Sequence, residues 1–232
     1  MNILILLAGG IGSRMNMGAL AKQFLFFEGR PIISYSLKTF DSHPLISNII
    51  IVADQKWHQK IDKWMKDEGI TKFYSYAEPG ENRQLSIYNG LKAANKIAGS
   101  NDVVIIHDAA RPLVSEQLIT NCLTSIEDDD GVVPVLPAKD TYYLLNEKGE
   151  VSRMLPRPLL AAGQAPEAFK YGAYYDIHRS MAIDQILTVN GSTEMAVLGG
   201  LKIHTIPGEE RNFKITTQED LNLMKMYLKV MQ

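Results

Sequence analysis

Cysteine is nearly absent: Cys122 is the single one in 232 residues. That excludes an internal disulfide and any multi-cysteine metal site, and its place in a helical-looking stretch reads as a buried, inert thiol. Net charge is also nearly absent, since 24 Lys and Arg face 26 Asp and Glu for a formal charge of -2. No general field therefore favours nucleic acid or an anionic membrane surface, and any phosphate recognition has to be local. No apolar run approaches the ~20 residues of a membrane span. The chain enters a strand at once, with no basic n-region or cleavage site, so a cytoplasmic protein without a membrane partner is expected. Missing too are a Ser/His/Asp arrangement, an H-E-x-x-H motif and a pair of carboxylates at obvious acid–base spacing. Hydrolytic or covalent catalysis has no visible apparatus, which leaves positioning and charge stabilisation.

What is present begins at residue 2. NILILLAGGIGSRM sets an unalternating apolar strand before a glycine-rich turn that ends in arginine. Such a run suits a strand buried on both faces of a parallel sheet. Ala8, Gly9, Gly10 and Gly12 let the backbone turn sharply and bring N–H groups against an anion, and Arg14 adds a planar fork of donors. A dinucleotide fingerprint would need a third glycine where Met15 stands, and a Walker loop would need Lys-Ser or Lys-Thr after its glycines. What remains is a phosphate loop with two cations, Arg14 within it and Lys22 just beyond in AKQFL. The bland alternative is a tight turn with surface basic residues.

At this length one α/β domain spanning residues 1–232 is the expectation. Strand-like segments at 2–7, 48–53, 72–76, 102–107 and 131–135 alternate with helical patterns at 31–40, 55–68 and 84–97. The alternation predicts a doubly wound, mostly parallel sheet, Rossmann-like, with helices on both faces. Trp57, Ile61, Trp64 and Met65 fall at helical spacing and belong to a core. Segments 202–206 and 212–216 read as late strands, and 217–231 as a capped C-terminal helix. Between about 141 and 154 the helical pattern breaks, and TYYLLNEKGEVSRM reads as a β-hairpin turning at Asn146-Glu147-Lys148-Gly149. Taken as an arm over 139–156, rich in Tyr and Leu, it is expected to project and pack against a second copy of the chain, giving a homodimer. A hairpin folded back on its own domain is the alternative.

In an open parallel sheet ligands sit beyond the carboxyl ends of the strands, so the residues just after each strand carry the site. Three such places are loaded. The glycine loop is the first. In VVIIHDAARP, Asp108 ends a strand where it can hold Mg²⁺ or a ribose hydroxyl, and Arg111 can reach a phosphate; His107 reads as a hydrogen-bonded strand-end residue. In PGENRQLSI a turn delivers Asn82, Arg83 and Ser86 to a helix start, suited to a nucleotide base or phosphate, although Asn82 reads equally as an N-cap. Arg157, between two prolines, and Lys214, in RNFKITT, would each alone be surface cations. Together with the front half they imply a second anion.

With these residues placed, the chain resembles the cytidylyltransferases that couple CTP to small polyol phosphates, the 2-C-methyl-D-erythritol 4-phosphate and ribitol 5-phosphate cytidylyltransferase family. The likeness runs through LAGGIGSRM, KQF, GENRQLSI, HDAARP, PAKDT, the arginine of LPRP, GQAPE and NFKITTQEDL. It implies a β-arm homodimer, Mg²⁺ dependence, and CMP transfer with release of pyrophosphate. By position, Ala8, Gly9, Gly10, Gly12, Arg83 and Ser86 would hold CTP, and Arg14 and Lys22 would stabilise the transition state. Asp108 would sit by the metal and substrates. Arg111, Thr141, Arg157 and Lys214 would position the polyol phosphate, Thr141 and Arg157 from across the dimer.

The chain departs from the family pattern at three places. Ala21 replaces a proline before the loop lysine, Ala165-Pro166-Glu167 replaces T-P-Q, and Ser192-Thr193-Glu194 replaces T-D-E. The last two put the acceptor in question. HDAARP leans towards the erythritol enzymes and GQAP towards the ribitol ones. Other readings are a nucleotidyltransferase acting on a hexose 1-phosphate, a catalytically silent nucleotide-binding module and a Rossmann oxidoreductase. The oxidoreductase lacks its third glycine and the acidic residue about 20 positions on.

Overall fold

The computed structural model describes residues 1–10 and 21–230. Six parallel strands, β1 (Asn2–Leu7), β2 (Asn48–Val52), β3 (Phe73–Ala77), β4 (Val103–Asp108), β5 (Gly131–Pro137) and, late in the chain, β10 (Ile203–Pro207), form most of one sheet. β1 lies between β2 and β4 in unbroken parallel register, Ile5 opposite both Ile50 and Ile106. The chain runs from β1 outward to β2 and β3, then returns to place β4 on the other side of β1. That reversal makes a crevice above the carboxyl ends of β1 and β4.

Between β4 and β5 runs a reversed ribbon, β8 (Ala161–Gly163) and β9 (Glu167–Lys170), separated by a bend whose Ala165–Pro166 peptide is cis. Both segments pair antiparallel with β5, and β9 pairs antiparallel with β4, Glu167 opposite Ile106. Because the ribbon runs backwards, Glu167 at its head lies at the same edge as Asp108 at the tail of β4. β10 closes the far side of β5 in parallel register.

Successive side chains of a strand face opposite sides of a sheet. Leu4, Leu6, Ile49, Ile51 and Ile105 pack beneath α1 (Ile32–Ser42), α2 (His58–Glu68) and α4 (Glu116–Thr124). Ile3, Ile5, Ile50, Val52, Val104 and Ile106 pack against α3 (Arg83–Ala94), α5 (Tyr171–Ser180), α6 (Ile183–Thr188) and α7 (Ser192–Leu198). Both faces are covered, which is why the strands read as continuous apolar runs. Ile61 and Met65 of α2 are buried with Trp57 and Trp64 packed beside them, and α2 stops at Gly69, whose φ of 64° is left-handed. Cys122 is fully buried, its Sγ 3.4 Å from the Pro166 carbonyl oxygen, and burial pushes its thiol pKa well up. It is the inert thiol expected.

Two expectations are corrected. Segment 212–216 is no strand: the Ile215 N–H donates to the Ala110 carbonyl and the Thr216 N–H to the Asp220 carboxylate, so its backbone is spent outside the sheet. Its alternation reflects Ile215 packing with Ile32, Leu113 and Met224 beneath α8 (Gln218–Val230). Pro31 caps α1 in extended conformation; it is not the first helical residue.

The arm projects. Its strands β6 (Tyr143–Leu145) and β7 (Val151–Met154) pair with each other, and every residue from 139 to 154 is exposed. Asn146 organises the turn, its side-chain oxygen accepting from the N–H groups of Lys148 and Glu150, with Gly149 at φ 78°. No helix among the described residues is long and apolar enough to cross a membrane.

Candidate active site

Five charged side chains converge at the carboxyl edge. Asp108 is buried at the tail of β4. Its Oδ2 accepts from Lys214 Nζ at 2.8 Å and lies 3.8 Å from Arg111 Nε, while its Oδ1 lies 3.4 Å from Arg83 Nε. Burial alone would raise this carboxyl's pKa; Arg83, Lys214 and Arg111 outweigh it and hold the group well below the usual carboxylate range. Asp108 is a permanent anion clasped by three cations.

Arg83 begins α3 and lies between two carboxylates, with Nη2 3.5 Å from Glu167 Oε1 and Nη1 donating to Ser192 Oγ. Burial works to lower its pKa, but Asp108 and Glu167 carry it upward. For Arg111, burial outweighs the pull of Asp108 and lowers the pKa from the ordinary guanidinium value. Its Nη1 donates to the Asn212 carbonyl at 2.7 Å, joining the β4 turn to the segment that carries Lys214. His107 takes the bland role read for it: the fully buried ring hydrogen-bonds the Arg111 carbonyl at 3.0 Å, and burial pushes its pKa down to about 4.

The glycine loop leaves β1 beside this cluster. The Ala8 N–H donates to the Val52 carbonyl at 2.9 Å, and a Cβ on Gly9 would stand 2.5 Å from Pro79 Cβ, so only glycine fits there. Gln23 was missed as a functional residue. It is buried, and its Nε2 donates to the carbonyls of Ala8 at 2.5 Å and Gly10 at 2.9 Å, holding the loop from beneath. Its signal in the sequence is the KQF motif. Lys22 opens the short 3₁₀ turn that carries Gln23, half-buried. Gly12 and Arg14 lie outside the described residues.

At the head of α3 the side chains named from sequence are engaged with the fold. Asn82 is the N-cap, its Oδ1 accepting from the Leu85 N–H at 2.8 Å, while its Nδ2 donates to the carbonyls of Ile186 and Leu187. Ser86 Oγ accepts from the Gly80 N–H at 3.0 Å and donates to the Asn82 carbonyl. Both shape the turn at the helix start. Thr141 and Arg157 stand apart from the Asp108 cluster on the exposed arm and its base, where Arg157 Nη1 donates to the Lys139 carbonyl at 3.4 Å.

The two departures at 165–167 and 192–194 meet in space. Thr193 Oγ1 donates to Glu167 Oε2 at 3.0 Å, and Ser192 holds the arginine that Glu167 pairs with. Sequence spacing gave no sign that Glu167 and Asp108 flank one guanidinium.

Among the described residues no group of three or more His, Cys, Asp or Glu could hold a metal ion by itself. Mg²⁺ commonly takes one or two carboxylates and completes its shell with substrate phosphates and water. Asp108 fits that mode: it stays ionised, and Oδ1, which accepts from Arg83 Nε at 3.4 Å, keeps a second lone pair.

Comparison with known proteins identifies one family along nearly the whole chain. The family model described as IspD, 2-C-methyl-D-erythritol 4-phosphate cytidylyltransferase, matches residues 2–230. A 2-C-methyl-D-erythritol 4-phosphate cytidylyltransferase of Clostridium acetobutylicum is 34% identical over 233 residues, covering 99% of this chain and 98% of the relative. A ribitol-5-phosphate cytidylyltransferase of Streptococcus agalactiae is 30% identical over 225 residues, covering 97% and 94%. Among solved structures, the 4-diphosphocytidyl-2C-methyl-D-erythritol synthase of Anaerococcus prevotii superposes with a TM-score of 0.83 at 23% identity, covering 98% of this chain and 96% of that one. The chain belongs to the 2-C-methyl-D-erythritol 4-phosphate cytidylyltransferase family, as a cytidylyltransferase whose named relatives divide between methylerythritol phosphate and ribitol phosphate.

Proposed function

We propose that the protein transfers CMP from CTP to a small polyol phosphate and releases pyrophosphate, with 2-C-methyl-D-erythritol 4-phosphate as the acceptor. A phosphate oxygen of the acceptor attacks the α-phosphorus of CTP, and the bond to the bridging β-phosphate oxygen breaks on the opposite side. The acceptor phosphate is already ionised at neutral pH, so no general base is needed. The barrier is lowered by holding the two phosphates in line and by facing cations towards the charge spread over the equatorial oxygens.

In this reading the loop of Ala8, Gly9, Gly10 and Gly12 holds the triphosphate with its N–H groups. Arg83, Ser86 and the α3 start organised by Asn82 hold the rest of the nucleotide. Arg14 and Lys22 stabilise the pentacoordinate transition state. Arg111 and Lys214, fixed on Asp108, receive the acceptor phosphate, and Thr141 and Arg157 reach it from the second subunit of a homodimer built on the arms. Mg²⁺ held by Asp108 and the phosphates would supply charge neutralisation on the triphosphate.

One observation carries the reading: Asp108 at the β4 tail draws Arg83, from the head of α3, and Lys214, from the penultimate segment, to one point beside the glycine loop. Two cations from segments far apart in the sequence thus meet on one carboxylate. Ribitol 5-phosphate is the second reading, favoured by Ala165 within GQAP and by the streptococcal relative.

The test is pyrophosphate release from CTP with Mg²⁺ and each acceptor in turn. Turnover with methylerythritol phosphate supports the first reading, and turnover with ribitol 5-phosphate alone selects the second. CTP binding without turnover for any polyol phosphate makes the protein a silent nucleotide-binding module. Turnover only with GTP or UTP and a hexose 1-phosphate overturns both.

A further inference from the structure

We propose that Glu167 is a positioning residue which, with Thr193, fixes the Arg83 guanidinium for the nucleotide. The inference rests on the proposed function for its kinetic readout and on geometry alone for its structural one. Glu167 is 9% exposed, and its backbone is held on both sides, since β9 lies between β4 and β5. Its two oxygens are divided: Oε1 faces Arg83 Nη2 at 3.5 Å and Oε2 accepts from Thr193 Oγ1 at 3.0 Å. Asp108 is shared among Arg83, Arg111 and Lys214, whereas among the described residues Arg83 is the one cation within ion-pair distance of Glu167. Asp108 thus sets the whole cluster, and Glu167 acts on a single member of it.

A carboxylate buried this deeply is costly unless its partners are fixed. Every partner here is held by the fold. Ser192, fully buried, takes the second arm of the same guanidinium, and its own carbonyl accepts from the Tyr174 hydroxyl at 3.3 Å. Arg83 is therefore pinned at Nε, Nη1 and Nη2 from three different elements. Each contact fixes a direction, which a point charge would not. A glutamine at 167 would keep the shape and lose the charge. An aspartate at 193, where the threonine hydroxyl lies 3.0 Å from Glu167 Oε2, would return a negative charge beside residue 167.

The experiment compares Glu167→Gln, Thr193→Asp and the double variant by steady-state kinetics and by the ¹⁵N signal of Arg83 Nε, assigned with Arg83→Lys. Glu167→Gln should raise KM for CTP about tenfold, as expected for loss of the buried ion pair that orients the guanidinium, with a much smaller change in kcat and none in the acceptor KM. The Arg83 Nε–H signal should lose its protection from solvent exchange. The double variant should recover both readouts, which a mere packing role would not allow. A folded Glu167→Gln protein with unchanged CTP KM and unchanged Arg83 signal overturns the inference, as does a double variant no better than Glu167→Gln. Should Glu167→Gln fail to fold, Thr193→Val removes only the hydroxyl, and an unmoved Arg83 signal there overturns it equally. Should the wild-type protein neither bind nor turn over CTP, the proposed function falls and the arginine signal alone decides this inference.

Discussion

Lys214 Nζ lies 2.8 Å from Asp108 Oδ2, although 106 residues separate them along the chain. The Ile215 N–H to the Ala110 carbonyl, at 2.8 Å, ties the same two segments by their backbones. The ammonium is therefore held by a carboxylate, and its segment by the main chain one residue on. Lys214→Met should lower kcat/KM for the acceptor by about two to three orders of magnitude, the range for removing one preorganised donor to developing charge. Stability should change little, because Arg83 and Arg111 still face Asp108. A change confined to KM would mean that Lys214 only binds.

Gln23 holds the glycine loop through two carbonyls. Gln23→Leu leaves those carbonyls without their donor in a buried place, which should cost on the order of 1–3 kcal/mol, seen as a lower urea midpoint. The KM for CTP should rise with it, since the loop N–H groups lose their alignment. A variant as stable and as active as the wild type would show the clamp to be idle.

Gly9→Ala drives a methyl group against Pro79, where the gap is 2.5 Å. Overpacking of this kind costs typically about 1–3 kcal/mol, and here the strain falls on the phosphate loop. CTP binding by calorimetry should weaken in a protein that still unfolds cooperatively. Undiminished affinity would separate the loop from the nucleotide.

The arm exposes apolar side chains well beyond what a solvated hairpin needs, Tyr143 being 54% exposed, Val151 62% and Met154 66%, and Leu159, just past its base, is 82% exposed. If two copies cover each other's arms, sedimentation should give a dimer, and Val151→Asp with Leu159→Asp should give a monomer of greatly reduced turnover. A wild-type monomer with full activity would remove Thr141 and Arg157 from the site.

His178 is fully buried between the rings of Tyr88 and Tyr174, its Nδ1 hydrogen-bonded to the Tyr174 carbonyl at 2.9 Å and its Nε2 without a partner among the described residues. Burial lowers its pKa from 6.5 to about 4. The unfolded chain therefore binds a proton that the folded one refuses. Stability is full above roughly pH 6.5 and falls as the pH drops towards 4, by up to about 1.4 kcal/mol per pH unit. His107 acts in the same direction. Urea unfolding between pH 4 and 7 should show this slope, and His178→Gln should reduce it; an equal slope in the variant would place the acid sensitivity elsewhere.

Much of this molecule was legible in its residues. The unalternating runs at 2–7, 48–53 and 102–107 announced strands covered on both sides, because only burial on two faces removes the need for polar positions. The turn at Asn146 and Gly149 was equally plain, since its backbone geometry selects those residues. The reversed ribbon was not. LLAAGQAPEAFK has little of the β-branched bias of a strand, and its course depends on the slot left between β4 and β5. Segment 212–216 failed the other way, its alternation produced by packing under a helix.

The residues by themselves determined the parallel layers, the helix caps, the glycine loop and the family, because each of these rests on neighbours within a few positions or on motifs kept in order. Tertiary structure alone decided that Asp108, a lysine near the far end of the chain and a glutamate on a backward strand would share one cluster of charge. It decided too that Glu167 and Thr193 would touch. Contacts of this kind depend on which strand edges and helix ends are brought together, and strand order is set by the global packing of two apolar faces, not by any local spacing.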